Sequence, residues 1–202
     1  MITIVDYGMG NLGSLANMLK RIGAQAEIVS DPGKIARAEK LILPGVGAFD
    51  SAMRRINETP AMRETLNRKV VVEQTPLLGV CLGMQLLVQG SEEGKLPGLG
   101  WIAGYARRFP RKDGLKVPHM GWNVAKPSRS SPLTADLGEE PRYYFVHSYY
   151  VLVDELEQSL MRTWYGLEYD SAIGRGNVFG VQFHPEKSHR FGQKILENFV
   201  KI

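Results

Sequence analysis

The one thiol of this chain stands in the stretch Gly79-Val80-Cys81-Leu82-Gly83, between the apolar run PLLGV and the helical pattern of Leu82 to Val88. G-x-C-x-G is the thiol form of a nucleophile elbow. A sharp strand-to-helix turn of this kind strains its central residue and needs nearly bare flanking positions to close. It lifts the side chain clear of the sheet and sets the unpaired amides of a helix start beside the sulfur. The Leu82 N–H would then point at the oxyanion of a carbonyl attacked by Cys81. The plainer alternative is a buried apolar filler, which would not need both glycines.

A thiol nucleophile needs a base, and the base needs an orienting carboxylate. His119 and His147 have no acid within a few residues. His184 closes the apolar run VFGVQF and is followed by Pro185 and Glu186. Residues two apart in extended chain share a face, so Glu186 is placed to orient His184. A second oxyanion donor is expected from Pro44-Gly45-Val46-Gly47, a loop that leaves a strand end on the Cys81 side if the sheet is parallel. His184, Glu186 and His189 also lie close together, but their spacing matches no regular zinc pattern, so no metal and no cofactor is expected. A rival site is Gly8-Met9-Gly10-Asn11-Leu12-Gly13, a G-x-G-x-x-G after a strand, with Asp31 at the end of the next. That is much of a dinucleotide-binding fingerprint, although Asp6-Tyr7 separates the apolar run from the first glycine.

These residues need a framework. Strands are expected at Ile2 to Asp6, Ala26 to Ser30, Lys40 to Leu43 and Pro76 to Val80. Helices are expected from Asn11 to Ile22, from Phe49 to Arg68 with a break at Thr59-Pro60, and from Leu82 to Val88. Leu12, Leu15, Leu19 and Ile22 would share one helix face. Such alternation implies an open, mostly parallel sheet with helices on both faces. After Gly90 the pattern becomes strand-rich, with runs at Trp101 to Phe109, Val117 to Val124, Tyr143 to Val153, Leu160 to Tyr165 and Val178 to Phe183. These add antiparallel strands to the C-terminal half. Gly174-Arg175-Gly176-Asn177 reads as a hairpin turn, and Lys126 to Pro141 as a surface loop. A final helix should start at Ser188 as N-cap and turn Phe191, Ile195 and Phe199 inward.

The 202 residues suit one α/β domain, 1–202, with a sizeable core. A net charge of +4 is mild, and its densest piece, Ala106 to Lys116, reads as a solvated hairpin rather than a nucleic-acid surface. No apolar run approaches the ~20 residues of a membrane span. The N-terminus lacks the marks of a signal peptide. A lone cysteine fits a reducing cytoplasm.

G-V-C-L-G-M-Q, the later H-P-E and the upstream P-G-V-G occur in the order found in class I glutamine amidotransferase domains, which the whole chain resembles. The resemblance implies a glutaminase that converts L-glutamine to L-glutamate and ammonia through a Cys-His-Glu triad and a thioester. Cys81 would be the nucleophile, His184 the base and then acid, Glu186 its orienter, and the amides of Val46 and Leu82 the oxyanion hole. Gly47, Gln85, Ser148 and Tyr149, in the His147-Ser148-Tyr149 segment, match substrate-holding positions. Asp6 to Asn11, Pro118-His119-Met120-Gly121-Trp122-Asn123 and His184 to Ser188 are similar to the glutaminase subunits of imidazole glycerol phosphate synthase, in histidine biosynthesis. That likeness implies a heterodimer with a (β/α)8 cyclase barrel that makes imidazole glycerol phosphate and AICAR. Asn11, Met120, Trp122 and Lys187 would be interface positions. A glutaminase of another pathway, a free-standing thiol hydrolase and a dinucleotide-binding module remain as alternatives.

Overall fold

Apolar runs and amphipathic segments alternate through the first half of the computed structural model, which describes residues 1–202. Strand β1 (Ile2–Val5) is followed by α1 (Leu12–Arg21), β2 (Ala26–Val29), α2 (Pro32–Ile35), β3 (Lys40–Gly45), α3 (Phe49–Glu58) and α4 (Met62–Asn67). A π-helical turn, Arg68–Val72, leads into β4 (Leu77–Cys81) and α5 (Leu82–Leu86). The second half carries β5 (Gly104–Arg108), β6 (His119–Val124), β7 (Lys126–Pro127), β8 (Arg142–His147), β9 (Tyr149–Val153), β10 (Ser159–Trp164), β11 (Glu168–Arg175) and β12 (Val178–Val181), then α6 (His189–Lys201).

Strands β2-β1-β3-β4-β12 lie side by side in that order, all parallel. β11, β10 and β7 continue the sheet antiparallel, and β9 and β5 branch from β11. The α/β class expected from the sequence is the one that forms. Along β3, Leu41 and Leu43 enter one apolar cluster and Ile42 the other. Both faces of the parallel strands are therefore apolar, and both need a covering layer. Phe49, Met53, Ile56, Leu66 and Leu86 of α3, α4 and α5 supply one. Leu15 and Leu19 of α1, with Ile195 and Phe199 of α6, supply the other, and Leu12, Ile22 and Phe191 pack at its margin. Each fully buried side chain of this kind stabilises the fold by roughly 2 kcal/mol. No helix is long and apolar enough to cross a membrane.

Several expectations need correction. Tyr143 to Val153 is not one strand. It breaks at Ser148 into β8, which pairs with β6 in a separate two-stranded ribbon, and β9, which joins the main sheet. Buried residues alternate along β8 at Tyr143, Phe145 and His147, then fall adjacent at Tyr150 and Val151, so the phase shifts where the chain changes sheets. The same division undoes the hairpin expected at Ala106 to Lys116, because β5 and β6 belong to different sheets. β11 has no counterpart in the sequence reading: its EYDSAIGR is poor in β-branched and aromatic residues. Its Gly174 is paired with Phe179, so the turn is only Gly176-Asn177. α2 was likewise not foreseen. Asp31 caps it, accepting from the Gly33 N–H at 2.6 Å and the Lys34 N–H at 3.3 Å.

Candidate active site

Strand register brings the chemistry together. β3 pairs with β4 so that Gly45 lies beside Cys81, and β4 pairs with β12 so that Val80 lies beside Val181. The carboxyl ends of three adjacent parallel strands thus present Gly45-Val46, Cys81-Leu82 and, just past β12, His184. Such ends are where open α/β sheets place their ligands.

Cys81 has φ 55° and ψ −112°, a conformation disfavoured for any residue with a Cβ. The neighbouring glycines are required by close backbone approach. A Cβ on Gly83 would overlap the Leu43 carbonyl, and one on Gly79 would lie 2.7 Å from the Gly83 carbonyl oxygen. The elbow closes because β3, β4 and α5 meet there backbone to backbone. Tyr7 fixes the adjoining loop: its hydroxyl, buried, donates to the Pro44 carbonyl at 2.7 Å.

Cys81 borders a cleft of about 270 Å³. Val46, Gly47, Leu82, Gln85, Ser148, Tyr149, His184 and Lys187, all singled out in the sequence, line it together with Cys81. The His184 Nδ1–H donates to Glu186 Oε1 at 2.8 Å, with both side chains almost fully buried. The link between them is one 3-10 turn, Pro185–Lys187, rather than extended chain, and it folds the carboxylate back onto the ring. His184 Nε2 is buried with no other partner and faces the thiol. Burial opposes a charged ring, but hydrogen bonds and charge from Cys81 and Glu186 outweigh it and raise the His184 pKa to about 10. Ser188 stands at the start of α6 without capping it. Its Oγ donates to the His184 carbonyl at 2.6 Å, which also accepts the Lys187 N–H at 3.1 Å, and accepts the Tyr144 N–H at 2.9 Å, so the turn is tied to β8.

Three residues of the site were not picked out from the sequence. Gln85 Nε2 donates to the Tyr149 carbonyl and to Gln182 Oε1, both at 3.0 Å, and Gln182 Nε2 faces Cys81 Sγ at 3.9 Å. Gln182 could have been found, since it lies two residues before His184 on a strand. Glu93 lines the cleft and accepts the Phe49 N–H at 2.9 Å, which pins its loop to the start of α3. Nothing in its local sequence marks it. Tyr7 was noticed only as an interruption of the glycine pattern.

Of the positions expected at an interface, Lys187 lines the cleft, and Asn11, Met120 and Trp122 do not. Asn11 is exposed at the head of α1. Met120 and Trp122, 61% and 48% exposed, project from β6 beside Val146 and Tyr144, at the cleft rim. Lys187 holds its Nζ 5.7 Å over the Tyr144 ring. His189 stacks on Trp122 at 5.4 Å and makes no metal-holding group with His184 and Glu186. In the glycine-rich turn, a Cβ on Gly8 would overlap the Arg55 guanidinium, whereas one on Gly13 would meet nothing within 4 Å. A dinucleotide fold needs that third glycine for tight helix packing, and here it has no such task. Asp31 is already engaged as a helix cap.

Comparison with known proteins agrees with this geometry. The family described as "Glutamine amidotransferase class-I" matches residues 3–202. The chain is 53% identical to "Imidazole glycerol phosphate synthase subunit HisH 2" of Methanococcus maripaludis over 201 residues, covering 100% of this chain and 99% of the relative. It is 48% identical to the protein of that name from Pseudomonas aeruginosa, covering 100% of both. Among solved structures, "Crystal structure of glutamine amidotransferase" superposes with a TM-score of 0.75 at 20% identity, covering 100% of this chain and 98% of the other. "Structure of PurLQS from Thermotoga maritima" does so with a TM-score of 0.74 at 18% identity, covering 99% and 97%, a likeness of fold. With residues 3–202 matched by the family and the motif residues gathered around one cleft, the chain belongs to the class I glutamine amidotransferases.

Proposed function

We propose that this chain is the glutaminase subunit of imidazole glycerol phosphate synthase, hydrolysing L-glutamine through Cys81, His184 and Glu186. The observation that carries the triad is the state of His184. Its Nδ1–H is committed to a buried carboxylate, and its Nε2 has nothing to meet but the sulfur. His184, whose pKa is raised to about 10, holds the proton it takes from Cys81 while sulfur attacks the side-chain carbonyl carbon of glutamine, and the carbonyl electron pair moves onto oxygen. The amides of Val46 and Leu82 hold that oxyanion, and losing one such donor typically costs ~10²–10³ in rate. Collapse breaks the C–N bond, and the proton on His184 leaves with nitrogen as ammonia. Water then loses a proton to His184, attacks the thioester and frees glutamate and the thiolate. Glu93 supplies the negative charge suited to the substrate ammonium, and Gln85, Ser148 and Tyr149 supply polar contacts.

The assignment to this synthase is supported by identity near one half over the full length of the relatives that bear its name. A partner is also consistent with the apolar rim of Val46, Val117, Met120 and Trp122, all exposed. The partner would be a (β/α)8 cyclase barrel that consumes the ammonia, in a cytoplasm that keeps the thiol reduced.

The test is glutamate release by this chain and by Cys81→Ser, each alone and with the cyclase and its nucleotide substrate. Release that rises in the full mixture and vanishes in the variant supports both parts. Cys81-dependent release indifferent to the cyclase would move the enzyme to another pathway.

A further inference from the structure

A chain of buried polar groups, of which only His147 reaches the cleft, plays no part in that chemistry. The Tyr169 hydroxyl lies 3.0 Å from His119 Nδ1 and 3.1 Å from His147 Nε2, and the two ring nitrogens are 3.2 Å apart. All three side chains are buried. His147 Nδ1 lies 2.7 Å from the Tyr149 carbonyl, which can only accept, so that nitrogen carries the proton. Burial draws the His147 pKa down to about 3 and that of His119 to about 4, so each neutral ring holds one proton. His147 Nε2 is therefore a bare acceptor.

The far end is fixed as firmly. Asn123 Oδ1 accepts the Val124 N–H at 2.8 Å and Nδ2 donates to the Trp164 carbonyl at 2.9 Å, which orients the amide. Its Nδ2 then donates to His119 Nε2 at 3.3 Å and leaves the His119 proton on Nδ1. The arrangement in which every proton meets a lone pair runs from Asn123 to His119, to Tyr169, to His147 and to the Tyr149 carbonyl. That carbonyl also accepts from Gln85, whose second amide proton goes to Gln182. Oε1 is the only polar atom Gln85 has left to offer a ligand, and it accepts.

We propose that Asn123, His119, Tyr169 and His147 are positioning residues: a directed hydrogen-bond relay that fixes the Ser148-Tyr149 turn and the Gln85 amide from strand β6. Neither Tyr169 nor His119 lines the cleft. Asn123 and His119 occupy positions of β6 that alternate with the exposed Met120 and Trp122. Any displacement of that strand from its outer face therefore reaches the substrate contacts. The identity of the substrate rests on the glutaminase reading.

The test combines ring-nitrogen NMR with steady-state kinetics. In the wild type, both His119 and His147 should carry the proton on Nδ1. Tyr169→Phe removes the central link and keeps the ring, so KM for glutamine should rise about 5–10-fold, the loss of roughly one hydrogen bond. Turnover at saturation and alkylation of Cys81 by iodoacetamide should be unchanged. Asn123→Asp, at a half-exposed position, replaces the donor with an acceptor, so it should move the His119 proton to Nε2 and raise KM in the same direction. A proton on Nε2 of either ring in the wild type, or a wild-type KM in both variants, would overturn the proposal. If the wild type releases no glutamate, the functional reading fails. The relay is then still decided by the ring protons and by whether Asn123→Asp moves them.

Discussion

Cys81 combines a chemical setting with a backbone cost. A φ of 55° in a residue with a Cβ costs on the order of 1–3 kcal/mol, which the packing of β3, β4 and α5 offsets. In the proposed reaction Glu186 acts only through His184. Glu186→Gln keeps an oxygen for the Nδ1–H but removes the charge that helps hold the ring's pKa near 10. The ring pKa should fall, so the proton needed by the departing ammonia becomes scarce at lower pH. We expect turnover reduced ~10²-fold, with the alkaline limb of its pH profile shifted toward neutrality and the denaturation midpoint little changed. A pH–rate series on the two proteins checks this, and an unshifted limb would contradict it. At this scale legibility depended on covalent neighbourhood. Cys81, His184 and Glu186 were readable because glycines, a strand end and a proline flank them. Glu93 was not, because only a folded loop brings it to the cleft.

At the scale of elements, the glycines separate constraint from coincidence. Gly83→Ala drives a Cβ into the Leu43 carbonyl, backbone against backbone, and should destabilise the fold by roughly 2–4 kcal/mol. Gly13→Ala lies in α1 with open space around the new methyl, and should stabilise by about 0.5–1 kcal/mol. Urea denaturation of the two variants would show opposite signs, and equal effects would refute the packing argument. The parallel half of the sheet was legible because each strand is a short apolar run between turn residues. The second half was less so, for a physical reason. β11 lies between β10 and β12 yet half of it is Glu, Asp, Ser and Gly, so its pairing is dictated by neighbours rather than by propensity. The break at Ser148 is a tertiary event, and only the change in burial phase from His147 to Tyr150 records it.

For the whole molecule, acidity and the exposed rim matter most. Folded His119 and His147, with pKa values of about 4 and about 3 against 6.5, refuse protons that the unfolded chain accepts. Stability should therefore fall as pH drops below 6.5, by about 2 kcal/mol per histidine at pH 5. His184 works in the opposite sense: its pKa, raised to about 10, adds stability that is complete below 6.5 and lost as pH climbs through 10. Denaturation at pH 5, 7 and 9 checks both slopes, and a level profile between 7 and 5 would be inconsistent with neutral buried rings. Met120→Asp, at an exposed position, should leave the midpoint within ~0.5 kcal/mol but weaken binding of the proposed cyclase partner at least ~10-fold, as read by calorimetric titration. The break at Ser148 has a mechanical consequence. One wall of the cleft is the main sheet and another is the ribbon of β6 and β8, between which the chain passes four times. Whatever sits in the cleft is a rivet through both plates, so a covalent adduct on Cys81 would raise the temperature at which the ribbon lets go, and heat alone would report whether the enzyme is loaded.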